Sequence, residues 1–251
     1  MRIDKFKREI WDCVHCELCT ETFCEDRGWN TTCPVYRQLR FATYAARGHN
    51  TIGIYLTEGL LDYSKELADA IYKCTMCAAC EEICKPLGAV FEAAGLGDLK
   101  QMAPVIAKKF GLEGALDPVH SCDIMEAMRA DCVDLGLQPE SIKKMAESTE
   151  KNYNPYGEKH QERLKWAEGL EIPEAADTVF FYGCTPAYRR QEMAQATAKI
   201  LKGAKIDFAI LSDEWCCGSP LLRTGNVDLA EKMIKHNVDL LKGKKVVTSC
   251  A

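Results

Sequence analysis

The sequence lacks the features of a secreted or membrane-spanning chain. It opens with Met1-Arg2-Ile3-Asp4-Lys5-Phe6-Lys7, which contains no apolar stretch of the kind that forms a signal peptide. No run of 18 apolar residues occurs, so no segment is long enough to cross a bilayer as a helix. These absences predict a cytoplasmic protein whose cysteines stay reduced. Any association with the cytoplasmic face of a membrane would then require a partner.

The chain also lacks long blocks of charge of one sign. Its formal net charge is -5 over 251 residues, and its acidic and basic residues are interspersed. This balance argues against nucleic acid as the main partner, because phosphate binding needs clustered lysine and arginine. Interspersed charge is typical of an ordinary solvated surface.

Cysteine, in contrast, is abundant, with 15 residues. Two tight runs stand out, Cys13-x2-Cys16-x2-Cys19 and Cys74-x2-Cys77-x2-Cys80-x3-Cys84. A [4Fe–4S] cube needs four thiolates that converge on a small volume, and cysteines at this spacing on a curling loop reach three corners at once. The runs therefore predict two [4Fe–4S] clusters and a role in electron transfer.

Two other uses of the cysteines fit the sequence less well. Disulfide scaffolds are typical of short secreted chains with more than roughly 8–10% cysteine, whereas this chain is longer and contains about 6%. Structural zinc favours two separated pairs of ligands, and these runs carry three or four cysteines in succession. A colourless purified protein would favour zinc.

The fourth ligand that accompanies the first run is open between two cysteines. Phe23 stands where an x3 spacing would place a ligand, so Cys24 and Cys33 compete. Pro34 favours Cys33, because a proline after a distal ligand stops a helix and fixes the direction of the exiting chain. Residues 20–32 would then form an insertion.

Crossed ligation is expected between the two runs. In two-cluster ferredoxins the last cysteine of one run ligates the cluster of the other run. One predicted cluster therefore takes Cys13, Cys16, Cys19 and Cys84, and the other takes Cys74, Cys77, Cys80 and Cys33.

Helical patterns dominate the first two thirds of the chain. An amphipathic pattern over residues 60–72 leads directly into Cys74, and residues 37–44 form a second candidate helix after Pro34. The sequence predicts a helical two-cluster ferredoxin domain over residues 1–98 and a helical connector over residues 99–172. Two cysteines of the connector, Cys122 and Cys132, are interpreted as core-filling thiols.

An α/β domain with a parallel sheet is predicted over residues 173–251. Strands alternate with helices there, which is the signature of a parallel sheet with right-handed crossovers. The predicted strands cover residues 178–182, 206–211 and 245–249, and the predicted helices cover residues 191–202 and 227–242.

The remaining cysteines follow the predicted strands. They fall at the carboxyl edge of the sheet, where open α/β folds bind their ligands. Gly218 allows a tight turn after the adjacent pair of cysteines. The pattern favours metal ligation, with a redox-active thiol pair or simple core burial as the alternatives. The predicted ligands are Cys184, Cys216, Cys217 and Cys250.

These motifs resemble a known family. Phe181-Tyr182-Gly183-Cys184-Thr185-Pro186, Cys216-Cys217-Gly218-Ser219-Pro220 and Val247-Thr248-Ser249-Cys250 are similar to the cysteine-rich CCG domain of the heterodisulfide reductase family. The front half resembles the helical two-cluster module of the D subunit in that family and of the related DsrK proteins. Iron–sulfur subunits of glycolate, lactate and glycerol-3-phosphate dehydrogenases share this architecture.

The resemblance also implies what a complete CCG domain would contain. In the family the motif closes with Cys-x-x-Cys and usually occurs twice, whereas this sequence stops at Cys250-Ala251. We therefore expect either the amino-terminal part of a longer protein or a partner that supplies the rest. A completed CCG domain implies a noncubane [4Fe–4S] cluster that cleaves a disulfide in two one-electron steps. The isolated chain is expected only to transfer electrons.

Two functions follow from the resemblance. The first is an iron–sulfur component of a heterodisulfide-reductase-like oxidoreductase complex, which relays electrons to or from the CCG site. The second is the electron-transfer component of a flavin-dependent hydroxy-acid dehydrogenase. The expected partners are a flavoprotein, a second CCG-containing protein or a membrane cytochrome.

Overall fold

The structure is a computed structural model, and it describes residues 1–24, 28–84, 105, 108–109 and 118–249. The chain divides into two compact units, Met1–Pro139 and Glu140–Ala251. This division falls inside the predicted connector of residues 99–172. The domain bounds drawn from the sequence stay a prediction.

The first unit is mainly helical. Its core contains apolar side chains from several elements, including Ile10, Leu56, Ile71 and Ile124. Cys132 is fully buried in this core, as predicted for a core-filling thiol. The helices are α1 (Lys7–Trp11), α2 (Pro34–Leu39), α3 (Ala46–Thr57), α4 (Lys65–Tyr72), α5 (Ala79–Ile83) and α6 (Ser121–Asp134), with 3-10 turns at Arg2–Phe6 and Ala42–Tyr44.

A β-hairpin interrupts the helical unit where an insertion was predicted. Strands β1 (Glu21–Cys24) and β2 (Gly28–Thr31) pair antiparallel, with Glu21 opposite Thr31. Threonine and aromatic residues favour extended backbone, which explains the hairpin. The expectation of an all-helical cluster domain is therefore corrected here. The backbone of Cys24 ends β1, and its side chain lies outside the described part of the structure.

The predicted helix over residues 60–72 is shorter than expected. Helix α4 begins at Lys65 because the Ser64 side chain accepts a hydrogen bond from the backbone N–H of Leu67 at 3.2 Å and caps the helix. Gly59, with a φ of +68°, turns the preceding chain away from helical geometry. The helix predicted over residues 37–44 begins earlier, at Pro34, and ends at Leu39, because Arg40 adopts a left-handed conformation. A separate 3-10 turn covers Ala42–Tyr44.

The second unit contains the predicted parallel sheet. Strands β3 (Thr178–Phe181), β4 (Phe208–Ala209) and β5 (Lys245–Thr248) lie in the order β4-β3-β5, with both pairs parallel. Helices surround the sheet: α7 (Glu140–Asn152), α8 (Cys184–Tyr188), α9 (Gln191–Gly203), α10 (Ser219–Arg223) and α11 (Val227–Leu241).

The core of the second unit lies against strand β3. Phe180 packs edge-on against both Trp166 and Phe208, and all three side chains are buried. Helix α9 adds small residues, so the backbone of this helix approaches the sheet closely. None of the helices in the described ranges has the length and apolar character needed to span a bilayer.

Candidate metal centres

The two cysteine runs of the first unit adopt the same strained loop. In the first run, His15 (φ +53°) and Glu17 (φ +67°) flank Cys16, and both are left-handed. In the second run, Met76 (φ +52°) and Ala78 (φ +62°) flank Cys77 in the same way. Side chains other than glycine rarely adopt this conformation, which costs about 1–3 kcal/mol per residue, and such strain concentrates at functional sites. The repeated turns curl each loop so that its cysteines face one volume.

A first cavity of about 400 Å3 opens beside the first run. Its wall also contains Arg47 and Glu17, which form an ion pair. The cysteines that line it come from both runs: Cys13, Cys16, Cys19, Cys80 and Cys84.

A second cavity of about 410 Å3 opens beside the second run. His49 contributes to its wall and is 4% exposed. Five cysteines line this cavity: Cys33, Cys74, Cys77, Cys80 and Cys122. Cys80 lines both cavities, together with Ala46 and Ser121, so the two cavities share part of their walls.

Backbone N–H groups point at several cysteine sulfurs. Such hydrogen bonds stabilise thiolates and tune the potentials of iron–sulfur clusters. Three N–H groups each lie 3.4 Å from an Sγ atom: Tyr36 to Cys33, Met76 to Cys74, and Val119 to Cys84.

Burial acts in the opposite direction on these thiols. It raises the pKa of Cys19 to about 11 and that of Cys80 to about 12. The thiols therefore hold their protons at neutral pH, and a metal that binds them must displace those protons. Loading of the cavities is expected to release protons.

The cysteines at each cavity match the ligand demand of a four-iron cube, which takes four thiolates. Zinc sits about 2.3 Å from each thiolate, so a zinc site draws its four ligands tightly together. Among residues 1–24, 28–84 and 118–249, no group of three or more His, Cys, Asp or Glu side chains closes on a single metal ion.

Helix α6 and the residues before it contribute to both cavities. Ser121 lines both of them, and the backbone N–H of Val119 donates to the sulfur of Cys84. The backbone N–H of Cys122 donates to the Glu81 carboxylate at 2.6 Å, and Cys122 lines the second cavity. Cys122 also packs against the apolar core of this unit, as predicted. Sequence reasoning did not find its place at the cavity, because it lies far along the chain from either run.

Three cysteines gather at the carboxyl edge of the sheet in the second unit. Cys184 opens helix α8 directly after β3, and Cys216 and Cys217 lie between β4 and α10. Cys216 is 1% exposed and lies within hydrogen-bond reach of both Cys184 and Cys217. Gly218 has a φ of +86°, so it supplies the turn expected after the pair. Cys250 lies outside the described residues.

The three thiols differ in acidity. Cys216 has a single S–H to share between its two neighbours. Hydrogen bonding with it lowers the pKa of Cys217 to about 6 and also lowers the pKa of Cys184. Cys216 keeps its proton, because its bonds to both neighbours and its burial raise its pKa. The edge therefore presents Cys217 as a thiolate at neutral pH beside the protonated thiol of Cys216. This arrangement suits metal binding or thiol chemistry.

A buried ion pair supports these cysteines. The guanidinium of Arg163 bonds the Glu214 carboxylate, and both side chains are at most 1% exposed. Nη1 of Arg163 lies 3.6 Å from the sulfur of Cys184, which favours the thiolate. Glu214 also accepts the backbone N–H groups of Tyr182 (3.2 Å) and Gly183 (2.9 Å). Neither charged residue belongs to the cysteine motif, so the sequence offered no signal for this pair.

A stack of rings fixes the residue before the cysteine pair. Trp215 lies between Tyr153, at a ring separation of 4.0 Å, and His236, at 3.6 Å. Asn237 accepts the backbone N–H of Trp215 and donates to the carbonyl of Cys216. The backbone that carries Cys216 is therefore held from several sides.

Comparison with known sequences supports an iron–sulfur domain in the first unit and a cysteine-rich domain in the second. The profile of the 4Fe-4S dicluster domain matches residues 9–86, and that of the cysteine-rich CCG domain matches residues 178–251. The D subunit of dihydromethanophenazine:CoB–CoM heterodisulfide reductase from Methanosarcina barkeri is 29% identical over 97% of this chain and 55% of its own length. The chain is a homologue of that protein. The predicted resemblance is confirmed.

Other relatives belong to oxidoreductases as well. The B subunit of fumarate reductase (CoM/CoB) from Methanothermobacter marburgensis is 25% identical over 73% of this chain and 31% of its own length. The C subunit of anaerobic glycerol-3-phosphate dehydrogenase from Escherichia coli is 28% identical over 31% of this chain and 20% of its own length. The chain spans about half the length of the heterodisulfide reductase proteins that it matches. No solved structure matches it significantly.

Proposed function

We propose that this chain relays electrons through two [4Fe–4S] clusters held in the two cavities of its first unit. The observation that carries the proposal is the pair of cysteine-lined cavities that share Cys80. Each cluster exchanges one electron at a time, and the protein supplies thiolate ligands, N–H donors and a low-dielectric surrounding. Centres in two adjacent cavities with shared lining residues would lie near enough for electron exchange.

Crossed ligation is part of the proposal. Cys84 lies with the first run at the first cavity, and Cys33 lies with the second run at the second cavity. These positions support one cluster on Cys13, Cys16, Cys19 and Cys84, and another on Cys33, Cys74, Cys77 and Cys80. Cys122 is a fifth thiol at the second cavity, and a cube has only four corners to fill.

The CCG region is proposed as the site to which the relay delivers its electrons or from which it takes them. The pKa values of Cys184 and Cys217 are both lowered, and a buried guanidinium lies beside Cys184, which supports metal ligation. We propose Cys184, Cys216, Cys217 and Cys250 as the ligands of a further, noncubane cluster when the domain is complete. A thiol–disulfide couple without metal is the alternative use of the same cysteines.

The complex around the chain is proposed to resemble heterodisulfide reductase. The similarity to the D subunit of that enzyme covers nearly all of this chain, which supports that assignment. A second CCG-containing protein, a flavoprotein and a membrane cytochrome are the proposed partners.

A second function has a narrower basis. The match to the C subunit of anaerobic glycerol-3-phosphate dehydrogenase favours an electron-transfer role beside a flavin-dependent hydroxy-acid dehydrogenase. Affinity purification from the native cell distinguishes the two functions. Co-purification of a flavoprotein that oxidises a hydroxy acid would favour the dehydrogenase, and a membrane protein of the cytochrome b type would favour the reductase.

The direct test of the relay is anaerobic purification of the full chain. Iron and acid-labile sulfide would be counted, and electron paramagnetic resonance spectra would be recorded before and after reduction with dithionite. Each cube contains ~4 irons and as many sulfides, so we expect at least eight of each per chain. The reduced protein should show two resonances, one from each cube. A colourless protein that contains zinc and no sulfide would contradict the proposal.

A further inference from the structure

Arg129 is a buried cation beneath the second cysteine run. It lies on α6 and is 5% exposed. Its Nη2 donates to the carbonyl oxygens of Ile71 at 3.2 Å and Cys74 at 2.5 Å, and its Nη1 lies 3.0 Å from Sδ of Met76. The guanidinium is therefore bound to the backbone and side chains of the loop that surrounds the second cavity.

The charge of Arg129 reaches the ligands of that cavity. Burial lowers the pKa of Arg129, but a guanidinium starts so high that it stays protonated. Burial raises the pKa of the Cys74 thiol, and Arg129 acts against that rise. Burial and Arg129 together lower the pKa of His49, which lines the same cavity, to about 4. A second positive charge at His49 is therefore excluded at neutral pH.

The first cavity differs from the second in the charged side chains that lie beside it. Its cation, Arg47, is paired with Glu17, which lines the same cavity. These two side chains are 37% and 58% exposed, so water screens them and their opposite charges largely cancel. The two cavities thus share a loop geometry and differ in their fixed charge.

We propose that Arg129 raises the reduction potential of the cluster in the second cavity above that of the cluster in the first. Reduction adds one electron to a cluster, and a nearby buried positive charge stabilises the reduced form. An electron that enters the relay from a one-electron donor would then reside on the second cluster. The inference rests on the proposed two-cluster relay and gives it a direction.

The test is a redox titration of the full, cluster-loaded chain, monitored by electron paramagnetic resonance. The resonance of the second cluster is identified as the one altered by Cys77→Ser. Arg129→Gln should disfavour reduction of that cluster at least tenfold, which for one electron corresponds to a potential about 59 mV lower. Arg129→Lys keeps the charge and should remain near the wild-type potential. The first cluster should titrate unchanged in both variants.

Two further variants keep the test decisive. Glu126, a half-buried carboxylate on α6, acts electrostatically on Arg129, so Glu126→Gln should shift the second cluster in the opposite direction. Arg47→Gln is the matched control and should leave the second cluster unchanged. If Arg129→Gln loses iron from the second cavity, its potential cannot be measured. The shift in the reduction potential of the second cluster in Glu126→Gln then tests the inference.

Three results would overturn the inference. They are an unchanged potential in Arg129→Gln with full iron content, equal shifts in Arg129→Gln and Arg129→Lys, or no upward shift in Glu126→Gln. Failure of the relay itself looks different, because the wild-type chain would then lack two reducible clusters from the start.

Discussion

The carboxylate of Glu214 accepts a hydrogen bond from the backbone N–H of Gly183 at 2.9 Å. Gly183 directly precedes Cys184, and Glu214 lies two residues before Cys216. The same carboxylate holds the buried guanidinium of Arg163. One side chain therefore ties together the two cysteine loops at the carboxyl edge of the sheet.

Glu214→Gln should destabilise the second unit strongly. The substitution leaves the Arg163 charge in the interior without its carboxylate, and breaking a buried pair in this way costs about 3–5 kcal/mol. Urea denaturation followed by tryptophan fluorescence measures the loss. Glu192→Gln is the control, because Glu192 and Arg190 form an ion pair in which both side chains are more than 60% exposed. That change should leave the denaturation midpoint near the wild-type value, because exposed ion pairs contribute little to stability, and equal losses would contradict the role given to Glu214.

Cys84→Ser should perturb the cluster of the first run. Cys84 lies at the first cavity beside Cys13 and Cys16, although it belongs to the second run in sequence. Electron paramagnetic resonance of the reduced variant should show a changed first-cluster signal, with the signal altered by Cys77→Ser intact. A loss confined to the signal tied to Cys74 and Cys77 would mean that ligation is not crossed.

Substitution of the three candidate ligands of the second cavity by serine should affect the iron content differently. These candidates are Cys33, Cys24 and Cys122. Cys33→Ser should lower the iron content or convert a four-iron centre to a three-iron centre, because Cys33 lines the second cavity. Cys24→Ser and Cys122→Ser should each retain the wild-type iron and sulfide content. Iron loss in Cys122→Ser with full retention in Cys33→Ser would transfer the ligand role to Cys122.

Cys217 should react as an unusually acidic thiol. Its pKa of about 6 makes it mostly thiolate at pH 7, and an ordinary thiol with a pKa near 8.5 would be only a few per cent ionised. In chelator-treated protein, alkylation of Cys217 by iodoacetamide should rise with pH to a midpoint of about 6. Cys216→Ala removes the donor, so the midpoint should move upward.

The labelling also distinguishes the two uses proposed for the CCG cysteines. Protection of Cys217 in protein that has not been treated with chelator would indicate a bound metal. Equal reactivity in both preparations would favour a thiol couple. A midpoint of about 8.5 in the wild-type protein, the value of an ordinary thiol, would contradict the hydrogen bond from Cys216.

Periodicity predicted most of the sheet region of the second unit, although β4 covers only Phe208–Ala209 of the predicted residues 206–211, and it was less informative for the first unit. Alternation of apolar strands and amphipathic helices predicted β3, β5, α9 and α11 to within a few residues. The hairpin at residues 21–31 was missed because its strands are only four residues long and carry no alternating apolar pattern. The start of α4 was misplaced because a capping serine ends the pattern that apolar spacing alone extends.

Some residues of the candidate sites could be predicted from the sequence, and others could not. Cysteine spacing located most of the cysteines that line both cavities, since ligand demand is a local property of a loop. It could not find Arg129, Arg163 or Glu214, because a buried charge has no sequence pattern of its own. Such residues are recognised only when folding brings them beside a cysteine from another part of the chain.

Cys80 stands in the wall of both cavities, and this shared wall has a magnetic consequence. With one electron in the relay, a single unpaired spin would give a simple resonance. With two electrons, unpaired spins would lie on either side of one sulfur, and neither could relax independently of the other. The fully reduced protein would then show split and broadened lines, whose splitting measures how closely the fold holds its two centres.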